Sequence, residues 1–224
     1  MYDTGYIRQY GAIMQRLTEI ILERVPHGVF THTEVALLAG GSPDRVYSLV
    51  KRAIRAGEIL HIRRGFYCLA PKYLRHSLSV MALAQRLRGP SYISLESALS
   101  RHGVIPEAVH TIVSVCDKRS CTFDTPVGRF QYVRVPQRTL YEQVERVVEP
   151  DGEAVFLASP AKALADYVYA RRLNWTSAEP LVGSLRIEPD RLTEIDTVDI
   201  DALLANYDSR RVQRFLKGLK KELA

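Results

Sequence analysis

The chain has 224 residues and little of what marks a catalyst, a metal protein or a membrane protein. No apolar run approaches the roughly 18 residues that a membrane-spanning helix needs. The start, Met1-Tyr2-Asp3-Thr4-Gly5, lacks the cationic head and apolar core of a secretory signal, so export is not expected. Three cysteines, Cys68, Cys116 and Cys121, form an odd set without a disulfide framework, and reduced thiols in a cytoplasmic setting are the expectation. Cys116 and Cys121 have no second Cys or His pair at zinc-finger spacing, so they are expected to sit across a β-turn rather than on a metal. The histidines are scattered. His32 and His61 are the two placed to reach a phosphate, with packing or solvation as the simpler fate. There is no phosphate-cradling Gly-rich loop with its lysine and no nucleophile elbow. Ser94-Leu95-Glu96-Ser97 reads as a helix opening rather than a nucleophile beside a base. Glu142, Glu145 and Glu149 share one helical face, and such a row reads as solvated surface. No catalytic residue, metal or cofactor is expected, and the chain is read as a non-enzyme.

What is present is an ordinary globular balance, 46% hydrophobic and 25% charged residues, with an uneven distribution of charge. Residues 1–75 hold eleven Lys and Arg against six Asp and Glu, an excess of five. The remainder holds twenty against nineteen, so nearly all of the net charge of +6 sits in the first third of the chain. A local basic excess is the electrostatic footprint of phosphate binding.

That basic third carries four signals in a fixed order. Thr31 followed by Glu34 is a capping box opening a short helix to about Leu38. Gly40-Gly41 closes it, since glycine tolerates the left-handed conformation that ends a helix. Ser42 then caps a second helix with Pro43 at its first position, running to about Ala56 before Gly57. Two strand-like runs, Ile59-Leu60-His61-Ile62 and Phe66-Tyr67-Cys68-Leu69, flank Arg63-Arg64-Gly65 and read as a hairpin. Two helices joined by a short glycine turn and followed by a hairpin are a winged helix-turn-helix. In its second helix, Val46, Leu49, Val50 and Ala53 recur at helical spacing and predict a core stripe. Arg45, Ser48, Arg52 and Arg55 form another stripe, with Tyr47 and Lys51 beside it. Arginine forks onto a guanine edge or a phosphate, and lysine acts as a point charge, so this face suits the major groove of double-stranded DNA. Arg63 and Arg64 on the wing, and Thr31 and Ser42 at the helix starts, complete the expected DNA-binding set. An earlier amphipathic helix is expected from about Tyr10 to Val25, with Ile13, Leu17, Ile20 and Ile21 facing inward and Pro26-His27-Gly28 ending it. Ala70 to Arg75 reads as a linker.

The fold class expected is α+β: a winged helix-turn-helix domain over 1–75 and a mixed α+β domain with an antiparallel sheet over 76–224. In the second, helices are predicted at about Ser79–Leu87 and Leu95–His102. Strands follow at Thr111–Val115, Thr122–Phe123 and Phe130–Val135, with turns at Asp117–Arg119 and Thr125–Gly128, and read as an antiparallel meander. Ala154–Ala158 is a short apolar element leading into a helix from Ser159-Pro160 to about Arg172. Asp199–Leu223 reads as two helices. In the last, Val212, Phe215, Leu216 and Leu219 form an apolar stripe opposite Arg210, Arg211, Arg214, Lys217, Lys220 and Lys221. That basic face admits three readings: a solvated outer face, an extra phosphate or partner contact, or a membrane-surface helix.

Beyond Gly65-Phe66-Tyr67, the ordered segments are Pro90-Ser91-Tyr92-Ile93-Ser94-Leu95-Glu96-Ser97-Ala98-Leu99 and His102-Gly103-Val104-Ile105-Pro106-Glu107, then Thr125-Pro126-Val127-Gly128-Arg129-Phe130 and Ala158-Ser159-Pro160-Ala161-Lys162-Ala163-Leu164-Ala165-Asp166. The series resembles the AbiE-type abortive-infection antitoxins, the DNA-binding halves of type IV toxin–antitoxin operons and phage-defence regulators, over most of residues 10–172. The resemblance implies a repressor that binds inverted repeats in its own promoter. It also implies a second domain that neutralises a cognate nucleotidyltransferase-like toxin, without requiring a tight complex with it. The competing expectations are a winged regulator whose second domain senses a ligand or mediates assembly, and a nucleic-acid-processing enzyme with a winged targeting domain.

Overall fold

The computed structural model describes residues 12–223 apart from 26, 75, 108, 150, 151, 193 and 194. Apart from two short loop segments, the chain divides into two compact units at Ser79–Val80. Both are mixed α+β.

The first unit opens with α1 (Ala12–Arg24). Leu17 and Ile21 are buried as the periodicity predicts, while Ile20 is only half-buried. Tyr10, Pro26 and the side chain of Ile13 lie outside the described residues. Strand β1 (Val29–Thr31) leads into α2 (His32–Ala39). The capping box at its start is complete: Thr31 Oγ1 accepts from the Glu34 amide at 3.2 Å, and the Thr31 amide donates to Glu34 Oε2 at 2.6 Å. At its end the Gly40 amide donates to the Ala36 carbonyl with φ of 62°. Helix α3 (Pro43–Arg55) starts on Ser42, whose Oγ accepts from the Arg45 amide at 3.4 Å. Strands β2 (Ile59–Arg63) and β3 (Phe66–Leu69) follow, joined by Arg64-Gly65.

Three antiparallel strands form a small sheet in the order β1-β3-β2. The sequence reading contained the hairpin and missed β1, whose three residues are too few to show a period of two. Phe30, Val35, Val46, Leu49, Val50, Ala53, Ile59 and Leu69 close over Leu17 and Ile21 as one core. Burying Phe30 completely contributes about 1.5–3 kcal/mol. The stretch expected as a linker behaves otherwise. It contains a 3-10 turn (Pro71–Tyr73), and Tyr73 and Leu74 pack against this core; Arg75 lies outside the described residues.

The second unit runs α4 (Val80–Leu87), β4 (Ser91–Ile93), α5 (Leu95–Arg101), β5 (Thr111–Cys116), β6 (Cys121–Thr125), β7 (Gly128–Arg134), β8 (Val144–Val148) and β9 (Ala154–Ala158). Helices α6 (Pro160–Ala170), α7 (Glu179–Leu185), α8 (Pro189–Leu192), α9 (Thr197–Asn206) and α10 (Arg210–Leu223) follow. Its six strands lie in the order β6-β7-β5-β4-β9-β8. The expected antiparallel meander is corrected here: β5 and β7 pair in parallel, with Thr111 opposite Arg129, and β6 sits outside them at the sheet edge. The physical reason is burial. β5 is buried along nearly its whole length and β7 carries Phe130 and Tyr132 fully buried, whereas β6 is nowhere fully buried. Exposed strands belong at edges, so β7 takes the interior place. The sheet is mixed, since β4 is antiparallel to β5 and parallel to β9. The helical row of Glu142, Glu145 and Glu149 is also corrected. Val144–Val148 is an edge strand antiparallel to β9, so alternation and not a helical period places its side chains.

Helix α4 covers one face of the sheet, where the Tyr132 hydroxyl donates to the Ala84 carbonyl at 2.5 Å. Helices α5 and α6 cover the other, and α10 packs on α6 and α9. The apolar stripe of α10 is buried as expected: Val212, Phe215, Leu216 and Leu219 are all at 0% exposure.

Candidate nucleic-acid interface

Helix α3 is the most strongly two-faced element of the first unit. Val46, Leu49, Val50 and Ala53 are buried, and Arg45, Tyr47, Ser48, Lys51, Arg52 and Arg55 are all exposed. The helical period that sends one set inward leaves the other on the outer surface. Two of the exposed groups are steadied by their own helix: Arg52 Nε donates to the Ser48 carbonyl at 3.3 Å, and the Lys51 ammonium lies 5.7 Å from the centre of the Tyr47 ring. These contacts lay both side chains back along their own helix, and a cation already restricted loses less rotamer freedom when it meets an anion.

Arg64 is exposed in the hairpin turn, while Arg63 is half-buried with its guanidinium 4.8 Å from the Phe66 ring centre. Thr31 and Ser42 are engaged as helix caps, each accepting from a backbone amide and keeping a hydroxyl proton to donate. His61 is exposed on β2 and tilts against Tyr67, with ring centres 5.4 Å apart. Thus one helix face carries six of the expected residues, the hairpin carries Arg63 at the end of β2 and Arg64 in its turn, and the two cap residues do local structural work.

The largest buried polar cluster lies in the second unit, where the sequence reading placed no site. Lys162 and Asp166 stand one turn apart on α6 and both are fully buried. Asp166 accepts three hydroxyl hydrogen bonds: from Tyr92 at 2.8 Å, Ser94 at 2.7 Å and Tyr207 at 2.6 Å. Lys162 donates to Gln137 Oε1 at 2.6 Å, and its ammonium lies 5.0 Å and 5.2 Å from the ring centres of Tyr92 and Tyr207. Burial pushes the Asp166 carboxyl up, opposed by the Lys162 charge and the three hydroxyls. Burial pushes the Lys162 ammonium down, opposed by Asp166 and then Glu142. The network ties β4, α6 and the end of α9 together. The available signal was the flank Ala161, Ala163, Leu164 and Ala165: a helix apolar all round is a buried helix, and its Lys and Asp must then find partners inside.

Among the described residues no group of His, Cys, Asp and Glu is gathered to hold a metal, and no helix is long and apolar enough to cross a membrane. Cys116 Sγ lies 3.3 Å from the Lys118 carbonyl in the turn before β6, and all three thiols are free. No protein-family model matches the chain, and comparison with curated proteins gives no match.

Proposed function

We propose that the first unit is a winged helix-turn-helix domain that reads double-stranded DNA through α3, with the β2–β3 turn as its wing. The observation that carries this is the all-exposed row Arg45, Ser48, Arg52 and Arg55 on a helix held by its opposite face. The order helix, strand, helix, helix, hairpin is compatible with that domain. The basic excess of residues 1–75 supports it. On this reading and the family resemblance, the chain is a cytoplasmic autorepressor bound to inverted repeats in its own promoter and an antitoxin to a nucleotidyltransferase-like toxin.

The test is binding to its own upstream DNA across a range of salt. Each phosphate contact adds roughly 0.9 to the slope of log affinity against log salt, so R52A with R55A flattens it by about two. Unchanged affinity and slope in this double variant remove α3 as the reading helix. Co-expression with the neighbouring gene, if it encodes a nucleotidyltransferase-like protein, tests the second role. Growth rescue is expected, and DNA binding without rescue leaves a regulator with no antitoxin role.

A further inference from the structure

The second unit contains a cleft of about 480 Å3 that no part of the DNA reading uses. Its size falls within the roughly 300–1,000 Å3 of small-molecule sites. Its floor comes from the alternation of two strands. On β7 the buried Phe130 and Tyr132 face the α4 side, so Arg129 and Gln131 face the other. Thr111 stands opposite Arg129, and Val113 opposite Gln131, on the parallel neighbour β5. All four line the cleft. Ile105, Val113 and Leu185 are buried lining residues and give it an apolar wall.

The charged groups of the cleft are unevenly committed. Its two carboxylates are matched. Glu96 Oε1 is taken by Nε and Nη2 of Arg171, Glu96 Oε2 is buried, and Glu107 pairs with Arg186 at 3.5 Å. Arg129 is not used up. Among the described residues its partner is Asp124 on β6, which meets only its Nε, at 3.4 Å. Both side chains are mostly exposed, so that pairing is worth little. The two Nη groups form the fork that matches the two oxygens of a carboxylate, and among the described residues no acceptor holds them. On the same floor, the Thr111 hydroxyl and the Gln131 amide have no hydrogen-bond partner among the described residues. The cleft therefore offers uncommitted donors around one guanidinium, no free carboxylate for a cation, and an apolar wall.

We propose that this cleft binds an aliphatic monocarboxylate, its carboxylate on the fork of Arg129 with Thr111 and Gln131 as further donors, and its chain against Ile105, Val113 and Leu185. Such a ligand needs donors alone from the protein, which is what the floor supplies. The cleft lies wholly within the second unit, so the assignment stands apart from DNA binding.

Calorimetry and thermal shift on the full chain test it, with octanoate as the probe. Octanoate is expected to bind and to raise the melting temperature. Octan-1-ol, which lacks the charge, and octylamine, which inverts it, are each expected to bind at least about tenfold more weakly. Arg129→Ala is expected to weaken octanoate binding about tenfold or more. Asp124→Ala removes the competing carboxylate without touching the cleft lining and is expected to tighten it about twofold. Ser184→Trp is expected to abolish it by filling the cleft. All three positions are exposed, so the fold is expected to persist in each variant. Failure of octanoate to bind at millimolar concentration, or equal binding by the Ser184→Trp variant, overturns the site. Equal binding of the alcohol or the amine, undiminished binding by Arg129→Ala, or weaker binding by Asp124→Ala overturns the carboxylate assignment.

Discussion

Lys162 shows how much a single side chain can depend on its neighbours. Alone in the core its ammonium would be intolerable. With Gln137, two tyrosine faces and Asp166 around it, it is held. Removing one member of a buried pair leaves the other charge uncompensated, so Lys162→Met should cost about 3–5 kcal/mol in urea unfolding. The double replacement with Asp166→Leu should cost clearly less than the sum of the single changes, which a double-mutant cycle reads directly. Strict additivity would mean that the two groups do not share an environment. Cys68 makes a simpler case. Burial pushes its thiol up to about 11 from an ordinary 9.0. The native state therefore holds that proton more tightly than the unfolded chain. The stability this contributes is present below pH 9 and lost as pH rises through about 11. Denaturation midpoints should fall over that window in the native sequence and fall less in Cys68→Ala. At pH 8, iodoacetamide should label half-buried Cys121 well before Cys68.

Among the elements, α10 and α2 show opposite balances between local propensity and packing. Helix α10 carries Gly218 in its interior, where alanine is ordinarily better by about 1 kcal/mol. A Cβ at 218, however, would collide with the Thr176 carbonyl oxygen, so backbone there must move. Overpacking of that kind costs about 1–3 kcal/mol, and Gly218→Ala should lower the melting temperature despite its higher helix propensity. In α2 the local chemistry decides. Thr31→Ala removes the cap and should cost about 1 kcal/mol. Its slope of DNA affinity against salt should stay that of the parent chain, since the lost contact is an internal one. A loss of DNA affinity larger than the small change in stability accounts for, with the fold intact, would instead make Thr31 a DNA contact. Helices α2, α3, α6 and α10 were legible because caps and the 3.6-residue period are local in sequence. Helices α7 and α8 were not, being short and without a clear apolar stripe.

At the scale of the whole molecule, charge and core are divided between the two units. The surplus of cations belongs to residues 1–75, while the second unit holds the larger sheet and the Lys162–Asp166 network. If four phosphates are contacted by the first unit, affinity for its operator should fall about a hundredfold between 50 and 200 mM salt. A salt-independent affinity would leave the basic excess without a role in binding.

The sequence by itself determined the first unit closely: cap residues, the glycine turn, the two stripes of α3 and the hairpin all act between residues a few positions apart. It also put Arg45, Tyr47, Ser48, Lys51, Arg52 and Arg55 on the side of α3 away from the core, where all six are exposed. The tertiary structure alone decided that β7 slips between β5 and β6, that Glu142 to Glu149 spans a strand, and that Glu96 and Arg171, distant in sequence, form an ion pair. Strand order and long-range pairing follow from which surfaces can be buried together, and no local pattern of residues contains that information.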